Sequence, residues 1–112
     1  MIKLENHLGV IDISDKYFVN LVGSHVINCF GVAAMASAPK KFFGKRQVGI
    51  DKGIGIRVKN NKLIIDLHII VTYGTNISEI VKSIMHKVQY VVEDKTGFNV
   101  AKVNVYVESM KN

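Results

Sequence analysis

The segment that decides the fold reads KLIIDLHIIVTY, from Lys62 to Tyr73. An apolar, Ile- and Val-rich run bounded by turn residues predicts a β-strand whose alternate side chains point to opposite faces. Its odd-numbered positions are all apolar up to residue 71, whereas its even-numbered positions mix polar and apolar side chains. Gly74 to Asn76 ends the run, helical spacing continues from Ile77 to Lys95, and Val100 to Val107 alternates again. Residues 61–110 therefore predict a β-α-β unit on which the rest of the chain packs.

The preceding residues predict a second helix and further strands. Residues 8–13 alternate weakly, which is typical of a short edge strand, and Ser14 is a suitable helix N-cap. The helix that follows is expected to end near Gly31, and its apolar stripe consists of Phe18, Leu21, Val22, Val26, Cys29 and Phe30. Residues 32–38 predict a returning strand, and residues 48–58 predict a strand that three glycines weaken. Asn60-Asn61 predicts a hairpin turn.

The predicted order, (β)αβββαβ, corresponds to an α+β fold. It is a two-layer sandwich in which two helices cover one face of a mostly antiparallel sheet. The 112 residues, 48% hydrophobic and 21% charged, predict a single globular domain, 1–112. One cysteine excludes an internal disulfide, and no segment approaches the roughly 18 apolar residues of a membrane span. Since the start lacks the apolar core of a signal peptide, we expect a cytoplasmic protein.

Positive charge is concentrated between residues 39 and 62, which hold eight Lys or Arg side chains against Asp51 alone. An anionic partner is expected to meet the protein there. Phenylalanines within the basic loop could stack on bases or enter a lipid interface. The alternative is a solvated hairpin connection in which one Phe folds into the core. The candidate binding residues are Lys40, Lys41, Phe42, Phe43, Lys45, Arg46, Arg57 and Lys59.

The even-numbered face of the central strand is the candidate surface for self-association. No helix is predicted to cover it, and a flat face with scattered apolar side chains suits contact between copies. The alternative is that single exposed apolar side chains are ordinary. The residues expected on this open face are Ile64, Asp66, His68, Ile70 and Tyr106.

Catalytic and metal-binding patterns are weak. Asp66 and His68 share a strand face, as a general base and its orienting group would, yet no nucleophile motif accompanies them. His25 and Cys29 are four apart on a helix, but the other ligands of tetrahedral zinc are missing. Gly74 to Asn76 could hold a phosphate, although helix capping explains it equally well. We therefore expect no enzyme, no cofactor and no metal.

Short motifs in order along the chain resemble the alkaline-shock-protein family. They are Gly9-Val10-Ile11, Gly31-Val32, Phe43-Gly44-Lys45, Gly55-Ile56-Arg57-Val58, Tyr73-Gly74-Thr75-Asn76-Ile77, Thr96-Gly97-Phe98 and Val103-Asn104-Val105-Tyr106-Val107. Each motif is short, so their order and spacing carry the resemblance, which extends from Gly9 to Val107. The chain departs from the family in the few charges of its first helix and in Phe42-Phe43, which make the loop more apolar.

The resemblance implies a small cytoplasmic protein of Gram-positive-type bacteria, linked to alkaline or cell-envelope stress and without known enzymatic activity. Some members self-associate and are held near the membrane by a membrane-anchored partner, and compact members are housekeeping proteins. No catalytic residue carries over, because the family has no established catalytic motif. We expect a non-catalytic binding or scaffold protein that self-associates and binds a protein partner or an anionic membrane surface. The alternative is a nucleic-acid-binding module that uses residues 40–46 and the open sheet face.

Overall fold

Seven strands and two helices make up the part of the chain that the computed structural model describes, residues 2–6, 8–36, 48–51 and 53–111. The helices are α1 (Asp15–Ile27) and α2 (Ile77–Thr96). The strands are β1 (Ile2–Asn6), β2 (Gly9–Ile13), β3 (Val32–Met35), β4 (Val48–Asp51), β5 (Ile54–Lys59), β6 (Lys62–Thr72) and β7 (Val100–Lys111).

Strand β6 is the centre of a five-stranded sheet. β7 runs parallel along one edge of β6, from Leu63↔Val100 to Thr72↔Lys111. The opposite edge is shared by two antiparallel strands, with β5 pairing to the first half of β6 and β3 to the second half. β4 extends the sheet beyond β5, and β1 and β2 form a separate antiparallel hairpin. The α+β class is confirmed, and the parallel pair β6–β7 is the β-α-β unit that the sequence predicts.

The odd-numbered face of β6 carries the core. Its five side chains are 0% exposed and join buried residues of both helices in one cluster. Burying one side chain of this size stabilises the fold by about 1.5–3 kcal/mol, so this row is the main anchor of the two layers. The row consists of Leu63, Ile65, Leu67, Ile69 and Val71, and the helices add Phe18, Val22, Val26, Ile80, Ile84, Val88 and Val92.

The predicted helix caps are present, but the first helix is shorter than its apolar spacing suggests. Ser14 Oγ accepts a hydrogen bond from Tyr17 N–H at 3.1 Å, as an N-cap side chain does. The expected continuation of α1 to Phe30 was wrong, since α1 ends at Ile27 and Phe30 is 88% exposed. The reason lies in the last turn, where Asn28 Nδ2 donates to Ser24 O at 2.8 Å and satisfies a terminal carbonyl.

The single strand predicted over residues 48–58 is a hairpin of β4 and β5. Gly53 lies at the break with φ +81°, and a Cβ at this position would be 2.1 Å from Ala36 O. Only glycine fits such a position, so the chain turns there instead of continuing. The next turn agrees with prediction, because Asn60 and Asn61 both have positive φ, as a two-residue hairpin loop requires.

β1 was not predicted, because its pairing with β2 depends on the hairpin that joins them rather than on a strong apolar pattern. The basic loop at 40–46 lies outside the described residues. Among the residues that the structure does describe, no helix is long and apolar enough to cross a membrane.

Candidate functional site

The side of the sheet opposite the core cluster carries a row of polar side chains. β5 contributes its odd-numbered residues to this side, while β6 and β7 contribute even-numbered ones, because Gly55, Asp66 and Asn104 share one cross-strand row. We call this side the polar face. Its members that make the contacts described below are Arg57, Ile64, Asp66, His68, Ile70, Asn104, Tyr106 and Glu108.

Asp66 is a buried carboxylate held by side chains from two neighbouring strands. It is only 2% exposed, and Arg57 Nε lies 3.0 Å from its Oδ2. Arg57 Nη2 and Asn104 Nδ2 both donate hydrogen bonds to Oδ1, at 3.2 and 2.8 Å. A buried carboxylate is tolerated only when it is paired and hydrogen-bonded in this way. The three residues therefore tie β5, β6 and β7 together.

His68 is fully buried two residues further along β6. Its Nδ1 lies 2.6 Å from Glu108 Oε1, and its ring stacks on Tyr106 with centroids 4.7 Å apart. Since a carboxylate only accepts, Nδ1 carries the hydrogen of this contact. Glu108 sits at a register shift of β7, between Val107 opposite Ile69 and Ser109 opposite Ile70. The extra residue of this bulge is what brings the carboxylate to the imidazole.

The general base considered from the sequence is not assembled from these residues. Asp66 accepts from Arg57 and Asn104, whereas His68 contacts Glu108, so the carboxylate does not orient the imidazole. Both side chains are also closed off from solvent, which leaves a substrate no approach to either group. The expected openness of the face was wrong at these two positions, because neighbouring side chains cover them. They hold the sheet together and cannot offer contact atoms to a second molecule.

The accessible part of the predicted self-association face is apolar and aromatic. Ile64, Ile70 and Tyr106 are each half-buried. They lie in different rows, opposite Lys102, Ser109 and His68. The five residues share one face, as the sequence predicts, but only these three of them present surface.

Positive side chains gather at the end of the polar face beside the β5–β6 turn. Lys59 and Lys62 are exposed cross-strand neighbours, and Ile64 lies between Arg57 on β5 and Lys102 on β7. We call Arg57, Lys59, Lys62 and Lys102 the basic patch. Two lysines directly opposite each other destabilise a sheet slightly, so this pair does not contribute to the stability of the hairpin. Arg57, Val58, Lys59 and Ile64 line a shallow depression there.

The structure brings together only part of the predicted anion site. Arg57 and Lys59 lie in the basic patch, while Lys40, Lys41, Phe42, Phe43, Lys45 and Arg46 lie outside the described residues. The sequence places Lys62 in the positively charged stretch but not among the candidate binding residues, and it gives no indication of Lys102. The parallel register of β7 is what places Lys102 there, and period-2 alternation alone does not supply that register.

The His25 and Cys29 pair, considered from the sequence and set aside as a metal site, makes only a local contact. Cys29 Sγ donates to the backbone O of His25 at 3.3 Å, which is a local contact after the end of α1. Within residues 2–6, 8–36, 48–51 and 53–111, no three His, Cys, Asp or Glu side chains are grouped as metal ligands.

The sequence matches a known protein family over almost its whole length. Residues 3–112 match the model of the alkaline shock protein 23 family, which has a cell envelope-related function. The chain is 32% identical to YloU, an uncharacterized protein of Bacillus subtilis (strain 168), over 98% of this chain and 95% of that protein. It is also 32% identical to the uncharacterized protein Spy1614 of Streptococcus pyogenes serotype M6, over 98% and 94% of the two chains.

A more distant relative is YqhY, an uncharacterized protein of Bacillus subtilis (strain 168), which is 23% identical over 92% of this chain and 78% of its own. No solved structure matches the chain. The family model covers nearly the whole sequence, and the two nearer relatives are of almost equal length. The resemblance read from the short motifs is thereby confirmed, and this chain belongs to the alkaline shock protein 23 family, whose function is related to the cell envelope.

Proposed function

We propose that the protein is a non-catalytic binding protein that self-associates and meets an anionic surface at the cytoplasmic side of the cell envelope. The observation that carries the proposal is the basic patch. Its lysines are exposed on the polar face, at the end of the sheet nearest the β5–β6 turn. The one acidic neighbour in the adjoining row, Asp66, is buried and already engaged by Arg57.

The strength of such an interaction is set by charge number. One Lys or Arg near an anionic membrane surface contributes about 1 kcal/mol. The three exposed lysines of the basic patch together therefore supply about 3 kcal/mol per chain, which is too little for stable attachment by one copy. Two copies bound to each other double the charge that faces the surface, so self-association and surface binding support each other.

The closed cluster around Asp66 and His68 supports a non-catalytic role. Active sites keep their acid and base groups within reach of a substrate. Here both groups are buried, and their partners are side chains of the same sheet. The cluster contributes rigidity to the face that carries the basic patch.

Binding to vesicles tests the proposal. Wild-type protein is expected to co-sediment with vesicles that contain phosphatidylglycerol and not with neutral vesicles, and binding is expected to fall steeply with salt. The variant Lys59→Glu/Lys62→Glu should abolish the binding. The matched control Lys82→Glu/Lys87→Glu changes the net charge equally but lies on α2, in the other layer, and should bind like wild type.

Two outcomes would redirect the proposal. Equal loss in both variants would mean that net charge, and not the basic patch, governs attachment. No vesicle binding, together with saturable and salt-sensitive binding of single-stranded RNA, would replace the membrane surface by nucleic acid. An acidic segment of a membrane-anchored protein would offer a similar negative charge. The vesicles contain no protein, so binding to them shows that lipid alone is sufficient.

A further inference from the structure

Strand β7 is a long strand at the edge of the sheet. One side pairs with β6, and no strand among the described residues pairs with its outer side. Its regular portion, Lys102 to Val107, lies between two register shifts. Edge strands present free N–H and C=O groups that favour pairing with another chain unless something blocks them. The residues from Lys102 to Val107, with the bulge residue Glu108 directly after them, are therefore a potential pairing segment.

The direction of the backbone groups decides which residues of β7 face outward. His68 N–H donates to Gly53 O on the β5 side, and Leu63 N–H donates to Asn99 O on the β7 side. Even residues of β6 therefore bond toward β5 and β3, and odd residues bond toward β7. In a parallel ladder, a residue hydrogen-bonds to the two residues that flank its register partner on the neighbouring strand. The register partner itself therefore points its N–H and C=O groups away from that residue. The residues of β7 in register with Ile65, Leu67 and Ile69, and hence facing outward, are Val103, Val105 and Val107.

The segment KVNVYVE is complementary to itself in antiparallel orientation. When Val105 lies opposite Val105 of a second copy, Val103 lies opposite Val107, and Lys102 lies opposite Glu108. Antiparallel strands exchange two hydrogen bonds at alternate pairs, and in this register those pairs are formed by the outward-facing valines. Lys102 and Glu108 then form an opposite-charge pair on the polar face at each end, and both side chains are exposed in the single chain.

Other registers do not combine valines on the same face with an opposite-charge pair at each end. A shift by one residue turns the valines of one copy onto the opposite face from those of the other. A shift by two residues restores the faces but separates Lys102 from Glu108. The outward-facing groups therefore exclude shifts by an odd number of residues, and the Lys102–Glu108 pair selects the register centred on Val105 among those that remain.

We propose that β7 pairs antiparallel with β7 of a second copy, centred on Val105, and joins the two five-stranded sheets into one. This inference rests on the self-association in the proposed function and names the surface that performs it. The two-fold axis is normal to the sheet, so both helical layers stay on one side and both basic patches on the other. A dimer of this form presents two copies of Lys59 and Lys62 to the same flat surface.

Charge variants test the pairing by light scattering after size-exclusion chromatography. The wild type is expected to be dimeric, and Lys102→Glu should weaken the dimer by about tenfold or more, because each end then carries two like charges. The double variant Lys102→Glu/Glu108→Lys restores opposite charges at each end, so its dimer should be tighter than that of either Lys102→Glu or Glu108→Lys. The single variant Glu108→Lys is the matched control, because it loses the same contact with His68. Lys82→Glu, on α2, makes the same single charge change away from β7 and should leave the dimer unchanged.

Cysteine cross-linking tests the register in a Cys29→Ala background. Val105→Cys should form a disulfide-linked dimer, because directly opposite Cα atoms in a hydrogen-bonded pair are about 5.5 Å apart, within disulfide range. Ala101→Cys, also on β7, should not, since its own copy would be eight residues away along the partner strand. A wild-type dimer without a cross-link at Val105→Cys overturns this register, whatever the charge variants do.

The outcomes separate this inference from the proposal beneath it. A strictly monomeric wild type at high concentration overturns both self-association and the β7 interface. A dimer that ignores Lys102→Glu, fails to cross-link at Val105→Cys and dissociates with Ile70→Lys overturns the β7 interface alone. In that case self-association stands, and the contact lies on the polar face.

Discussion

Glu108 Oε1 lies 2.6 Å from Nδ1 of His68, an imidazole with no exposed surface. The two residues belong to parallel neighbouring strands, and the contact depends on the extra residue that the β7 bulge inserts between Val107 and Ser109. A histidine buried in a sheet needs such a partner, because an unsatisfied polar atom in the interior costs free energy. The pair therefore links the position of the bulge to the stability of the polar face.

Replacing Glu108 tests this link. Glu108→Ala removes the acceptor of the His68 Nδ1 hydrogen and should lower the free energy of unfolding by about 1–3 kcal/mol. Glu108→Gln keeps an oxygen in place and should cost distinctly less. Urea denaturation gives both values, and ¹⁵N-edited spectra of the imidazole report whether the hydrogen stays on Nδ1. A Glu108→Ala variant as stable as wild type would show that the contact adds nothing to stability.

Asp66 should matter more than an exposed acidic residue. Asp66→Ala leaves the partly buried Arg57 guanidinium without its anion and Asn104 without its acceptor, and should cost about 2–4 kcal/mol. The matched control is Asp12→Ala, which removes an exposed ion pair with Lys3 that spans 3.9 Å. Such pairs contribute about 0–1 kcal/mol. Chemical denaturation of both variants measures the difference, and similar losses would contradict the role given to the Asp66 cluster.

Two glycines with nearly the same φ should respond very differently to substitution. A Cβ at Gly53 would lie 2.1 Å from Ala36 O and 2.8 Å from His68 O, whereas a Cβ at Gly74 meets nothing within 4 Å. Gly74→Ala carries only the cost of a left-handed conformation, about 1–2 kcal/mol. Gly53→Ala also forces two backbone segments apart and should cost at least about 3 kcal/mol or prevent folding. Thermal unfolding compares the two, and equal melting temperatures would contradict the close packing of β3, β5 and β6.

The core face of β6 could be predicted because its signal is local. Period-2 alternation identified all five buried side chains from Leu63 to Val71, and the Asn76 cap is visible in the sequence as Asn followed by Glu79. The break at Gly53 could not be predicted in the same way. Its cause is the backbone oxygen of Ala36, a residue that is distant in sequence and adjacent only in the folded sheet.

On the polar face, too, the direction of the side chains could be predicted from the sequence, whereas their burial and their contacts could not. Alternation correctly placed Asp66, His68 and Tyr106 on one side, yet it gave no hint that Asp66 would be buried beneath Arg57 and Asn104. Burial follows from the register of three strands, and the His68 contact follows from a bulge in β7. The family, in contrast, is carried by the order of short motifs and required no tertiary information.

The orientation of the protein on an anionic surface gives the most direct test of the proposed function. Isotope-labelled protein is added to phosphatidylglycerol vesicles that carry a paramagnetic label at the lipid head group, and the broadening of each backbone amide signal is measured. We predict the strongest broadening at the β5–β6 turn, from Lys59 to Lys62, and little effect on α2. Broadening that is greatest on α2 would contradict binding through the basic patch. The absence of broadening, together with vesicles that sediment without bound protein, would contradict it as well.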